Sequence, residues 1–171
     1  MHKTLFLALA LILVGCGDKA NPKPEVAVNP IPANSAAVKI DGVAFPVDLA
    51  RSSVYIDRST GALTMILNTT PATGPRVMMA LYEFKQKPEK VVLATQSISS
   101  IDLDELQSGG EYYSARNCNP VDREIEVVEF DQVRRTVSCR FRAKMCLGMG
   151  LNGNIHKTAT EGQFNLPYTI Q

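Results

Sequence analysis

Residues 38–171 divide into short runs of β-branched, aromatic and aliphatic residues, each closed by glycine, proline, asparagine or aspartate. No run sustains a helical apolar repeat beyond two turns, so the chain has no amphipathic helix on which to build a core. Strand-like runs occupy 37–40, 43–49, 52–56, 62–67, 76–84, 90–97, 111–115, 124–130, 134–145 and 162–170. Asp41-Gly42 tolerates positive φ at both turn positions and predicts a tight hairpin, while Pro46 predicts an edge or a bulge in the second run. Residues 98–107 alternate Ile98, Ile101, Leu103 and Leu106 with polar residues and fit either an irregular connection or a short helix. The expected fold class is all-β, an antiparallel sandwich or barrel of about nine or ten short strands.

The N-terminus has a different character. His2 and Lys3 precede an unbroken apolar run over 5–14, the charge-then-hydrophobe layout of a secretory signal. A helix of that length rises only about 15 Å, half of a bilayer core of about 30 Å. Leu13-Val14-Gly15-Cys16 resembles the lipobox of bacterial lipoprotein precursors. The resemblance implies removal of 1–15, a diacylglyceryl group on the Cys16 sulfur and N-acylation of the new amine. Two or three chains on one residue meet the requirement that a stable anchor have more than one. Gly17, with Asp18 one place later, resembles the sorting pattern of outer-membrane rather than inner-membrane lipoproteins.

Residues 16–37 contain Pro22, Pro24, Pro30 and Pro32 and show no apolar period, which predicts a flexible linker of polyproline II or coil character. At about 3.1 Å per residue it would hold the domain some 60 Å from the bilayer. The roughly 130 residues from 38 to 171 then suit one domain that buries about two thirds of its unfolded surface. Loss of Lys3 with the signal leaves 17 basic against 17 acidic residues. A balanced charge argues against nucleic acid as a partner and supplies no polybasic membrane patch.

Phe130-Asp131, Thr136-Val137-Ser138, Phe141 and the late Thr160-Glu161-Gly162-Gln163-Phe164 resemble the last hairpin and final strand of small bacterial lipoproteins of unknown function. Val38-Lys39-Ile40-Asp41-Gly42-Val43 is similar to their opening strand, and Cys139 departs from the pattern where those proteins carry glycine. The resemblance implies an all-β domain and no particular mechanism.

Candidate chemistry is sparse. Gly148-x-Gly150-x-x-Gly153 lacks the following helix and acidic residue of a dinucleotide site and reads as a glycine loop. His156, alone among the residues after Cys16, is expected in a solvated loop, with metal ligation or base catalysis as the competing roles. Asp102, Asp104 and Glu105 lack calcium-loop spacing and are expected in a solvated acidic turn. Tyr82, Phe84, Tyr112, Tyr113 and Phe141 read as core, or else as the lining of a ligand cavity. No catalytic residue, metal or cofactor is expected.

Glu124, Glu126 and Glu129 oppose Arg135, Arg140 and Arg142 in a predicted hairpin, and Arg142 with Lys144 offers a candidate head-group or polysaccharide site. A turn at 131–133 pairs Val127 with Val137, Ile125 with Cys139, Glu124 with Arg140 and Glu129 with Arg135. Extended outward, this register sets Cys118 opposite Cys146 and predicts a disulfide between them, with Cys139 left as a buried thiol. A four-residue turn would shift the register and spoil the match. The expected role is a membrane-anchored envelope lipoprotein acting as a non-enzymatic binding module for a protein or glycan. The alternative is a lipocalin-like carrier of a small ligand, and an enzyme is a third reading that rests on His156.

Overall fold

A computed structural model describes residues 29–82, 84–92, 98–148 and 155–171. The strands are β1 (Ser35–Ile40), β2 (Val43–Ala44), β3 (Asp48–Ile56), β4 (Leu63–Asn68), β5 (Arg76–Leu81), β6 (Glu89–Val92), β7 (Ser100–Asp104), β8 (Tyr112–Ser114), β9 (Arg123–Asp131), β10 (Thr136–Leu147), β11 (His156–Pro167) and β12 (Thr169–Ile170). The described helical structure is two 3₁₀ turns, Leu106–Ser108 and Ala115–Asn117. The all-β expectation holds, with twelve strands rather than nine or ten. Among the described residues no helix is long and apolar enough to cross a membrane.

All twelve strands belong to one open sheet ordered β12-β3-β4-β5-β7-β8-β10-β11-β1-β2, with β9 and β6 branching from β10. Every pairing is antiparallel except that of β12 with β3. The branch arises because β10 is long: one edge pairs with β11 throughout, and the other is divided between β9 and, at Cys146 and Leu147, β8. Two arms therefore diverge, and their apolar faces share one core. Leu63, Met65, Val77, Met79 and Ile101 supply it from one arm, and Ile125, Cys139, Met145 and Phe164 from the other, all at most 1% exposed at the side facing inward. Strict alternation along β10 places Val137, Cys139, Phe141, Ala143 and Met145 on this buried face.

Local turn chemistry explains the first hairpin. Asp41 and Gly42 take φ of 50° and 80°, as a type I′ turn requires, and the Asp41 carboxylate accepts bonds from Thr158 N and Oγ1. Pro46 ends β2 after two residues, at the edge of the sheet. Farther on, Asp57 Oδ1 accepts from Ser59 N, Thr60 N and both hydroxyls, closing the β3–β4 loop.

Four expectations are corrected. The ordered fold begins before residue 38: Ile31 is buried, Ala33-Asn34 turns the chain, and β1 starts at Ser35. Residues 98–107 yield strand β7 and a 3₁₀ turn; β7 pairs with β5 and β8 along its edges and is buried along its length, with Arg76 and Ser114 brought beside its polar face. Asp102 and Asp104 are consequently buried rather than solvated, with Ser100 Oγ donating to Asp102 at 2.5 Å and Arg76 Nη2 meeting Asp104 at 2.7 Å. Finally, the β9–β10 turn has four residues, 132–135, with Asp131 Oδ1 accepting from Val133 N and Arg134 N. Val137 therefore faces Phe130, Cys139 faces Val127, Phe141 faces Ile125, and Glu126 rather than Glu124 faces Arg140. Arg135 lies in the turn and Glu129 faces Ser138.

Candidate functional site

A groove of about 600 Å3 lies on the outer face of the arm that contains β9, β10, β11, β1 and β2. Its walls follow from alternation: where Ile125, Phe141 and Phe164 point inward, Glu124 and Glu126, Arg140 and Arg142, and Gln163 point outward. Lys39 from β1 and Phe45 after β2 complete the far side.

A bulge makes the floor. β11 inserts an extra residue opposite Arg142, and Glu161 adopts a φ of 51° there. The next residue must be glycine for a packing reason, since a Cβ on Gly162 would stand 2.6 Å from the Phe141 ring. The bulge turns Glu161 toward β1, where its carboxylate meets Lys39 Nζ at 2.7 Å. The remaining charges form a chain of pairs across the strands. Arg140 meets Glu126 at 3.5 Å, and Arg142 meets Asp122 at 2.7 Å and Glu124 at 3.6 Å. Lys90 of β6 reaches Glu124 at 2.9 Å. Such pairs are exposed or half-exposed and contribute at most about 1 kcal/mol each. Their chemical use is directional: guanidinium donors and carboxylate acceptors alternate along one surface.

Beside the groove, two side chains of the same sheet face hold the chain that leads into β1. Arg140 Nη2 donates to the Asn29 carbonyl at 2.6 Å, and Asn165 Nδ2 donates to the Ile31 carbonyl at 3.1 Å. Residues 29–32 thus cross the outer face before the Ala33-Asn34 turn leads into β1, and the Ile31 side chain is 6% exposed there.

Of the residues singled out in the sequence, Cys118 and Cys146 are joined in a disulfide with Cα atoms 5.1 Å apart, and Cys139 is a buried thiol. Cys118 arrives by a route other than hairpin extension, at the end of the 3₁₀ turn that follows β8, where Ser114 pairs with Cys146. His156 is exposed, but it opens β11 opposite Cys146 instead of lying in a loop. The aromatic residues do not share a cavity: Tyr82 is exposed, Tyr113 and Phe141 are buried apart, and Phe84 joins Phe130 and Tyr168 in a ring cluster. Cys16, Gly150 and Gly153 lie outside the described residues.

A second polar cluster surrounds β7. Tyr112 is pushed up to about 12 by burial and then by the neighbouring Asp102 carboxylate. Arg123 is 1% exposed, and burial lowers its guanidinium below the usual range while Asp102 opposes that shift. This cluster is enclosed: Asp102 and Arg123 are both buried. No group of three or more histidine, cysteine, aspartate or glutamate side chains is arranged to hold a metal among the described residues. In comparisons with known proteins, no family model, no curated protein and no solved structure matches this chain.

Proposed function

We propose that this chain is a lipid-anchored protein of the bacterial cell envelope, held in the outer membrane through Cys16, whose β-domain is a non-enzymatic binding module for an envelope protein or glycan. The anchor reading rests on Leu13-Val14-Gly15-Cys16 after a short apolar run. The observation that carries the module reading is the groove, where donors and acceptors alternate along one sheet face and one of them, Arg140, already holds a backbone carbonyl. The carrier reading is less favoured because this concavity lies on the outer face, while core side chains fill the space between the arms.

One experiment addresses both halves. A photo-crosslinking residue replaces Gln163 in cells fed a fatty-acid analogue, in the native chain and in Cys16→Ala. The native chain should carry the label, sediment with membranes and trap an envelope protein or glycan. Cys16→Ala should be unlabelled and soluble. An unlabelled Cys16→Ala chain that stays with the membrane overturns the anchor, and a native chain that traps nothing above background overturns the module.

A further inference from the structure

We propose that a second concavity, where the β3–β4 loop meets the β9–β10 turn, binds a small organic anion, with Arg58 and Arg135 taking its oxyanion and Tyr168 and Ile170 lying beside its apolar body. The concavity measures about 370 Å3 and shares no lining residue with the groove. That volume falls within the range of small-ligand pockets. Its walls come from distant parts of the chain: Arg58 of the β3–β4 loop, Gln86 ahead of β6, Gln132 and Arg135 of the β9–β10 turn, and Tyr168 and Ile170 at the end of the sheet.

The backbone of these walls is held by bonds within the protein. Asp57 Oδ1 closes the β3–β4 loop, and Arg58 N donates to Gln171 O at 2.7 Å. Asp131 caps the β9–β10 turn, and Tyr168 N donates to Arg135 O at 2.8 Å. The Tyr168 ring stacks on Phe130 with centroids 5.2 Å apart. Binding then orders side chains rather than loops, which limits its entropic cost.

Charge sets the class of ligand. Arg76, Arg134, Arg140 and Arg142 each meet a carboxylate, whereas Arg58 and Arg135 make no ion pair among the described residues. The nearby carboxylates are engaged elsewhere: Asp57 in its own loop, and Asp131 in the turn and with Arg134 at 3.5 Å. The lining therefore carries two guanidinium groups against the one carboxylate of Asp57, with the amides of Gln86 and Gln132 as further donors. A guanidinium presents its N–H groups as a planar fork, which fits a carboxylate or a phosphate and has no use for a cation.

The test is an NMR titration of the full chain in an uncharged detergent, with phenyl phosphate as the probe. Phenyl phosphate should move the Nε–Hε resonances of Arg58 and Arg135 saturably. It should bind about tenfold more tightly than inorganic phosphate, because the ring adds apolar burial to the ionic contact. Benzyl alcohol, which has the ring without the charge, should move neither resonance. Arg58→Gln and Arg135→Gln should each weaken phenyl phosphate about tenfold, the loss of one charge-assisted contact. Lys87→Gln removes an exposed charge next to Gln86 without altering the lining, and it should leave the affinity unchanged. Dispersion of the β-sheet amides reports that each variant is folded. Micelles doped with phosphatidylglycerol distinguish the source of the oxyanion: competition with phenyl phosphate at both arginines assigns it to a lipid head group, and no competition assigns it to a soluble ligand. Absence of a saturable shift, an equal response to benzyl alcohol, or an equal loss of affinity in Lys87→Gln overturns the site. Neither Cys16 nor a groove residue is changed, so failure here leaves the anchor and module readings to their own test.

Discussion

A carboxylate that closes a loop makes stability depend on acid. Asp57 accepts four bonds through one oxygen, and the Ser59 hydroxyl above all holds its carboxyl at about 2, against 3.8 when unconstrained. A pKa lowered by folding contributes stability that is complete above the unfolded value and disappears as pH falls through the folded one. Unfolding midpoints of the native chain should therefore decline between about pH 4 and pH 2, and the gap between it and Asp57→Asn should narrow over the same window. A gap constant from pH 5 to pH 2 would contradict this account. At Asp102 and Asp104 the residue-level reading failed for a reason external to those residues. Ile101 and Leu103 share one face of β7, in a stretch whose sequence fitted an irregular connection or a short helix, and burial of Asp102 and Asp104 depends on side chains that other strands bring beside them, Arg76 of β5 and Ser114 of β8 among them. Those neighbours come from distant parts of the sequence, and local pattern does not report them.

At the scale of elements, legibility followed the range of the interaction that sets each one. The β1–β2 hairpin was legible because Asp41-Gly42 dictates its own turn. The β9–β10 hairpin was legible as a pair of strands but not in register, because the four-residue turn depends on how the Asp131 side chain caps it. That turn displaces the partners by three positions, and the bulge at Val128 recovers one. Beyond the bulge the net displacement is even, so Ile125 and Val127 keep their expected face and Glu124 and Glu126 meet Arg142 and Arg140; nearer the turn it is odd, and Phe130 joins Val137 while Glu129 meets Ser138. The groove was half legible: the rows were visible, whereas the Glu161–Gly162 bulge that lines it was not. The disulfide ties β10 to the segment beyond β8 across a sequence separation of 28. In the chain-entropy account, closing such a loop stabilises the fold by about 3 kcal/mol. Paired Cys118→Ser and Cys146→Ser should lower the unfolding free energy in denaturant titration by about that amount, with a steeper slope because the unfolded chain is freed to expose more surface. A loss below about 0.5 kcal/mol would show that the reduced chain is already restrained there.

The molecule as a whole is two arms joined through β10, so the strand that closes the hairpin, receives β8 and lines the groove is also the one on which the core depends. Cys139 sits at its centre with no exposed surface, and burial pushes its thiol up out of the range in which thiolate forms. Cys146 lies seven positions along the same unbroken strand, hence on the opposite face, and exchange between the thiol and the disulfide is blocked by the strand itself. Among the described residues, Cys139 is thus a chemical fuse sealed inside the protein. A thiol reagent that consumes Cys139 in the folded chain must wait for the arms to part, so its rate of uptake is a clock for global opening.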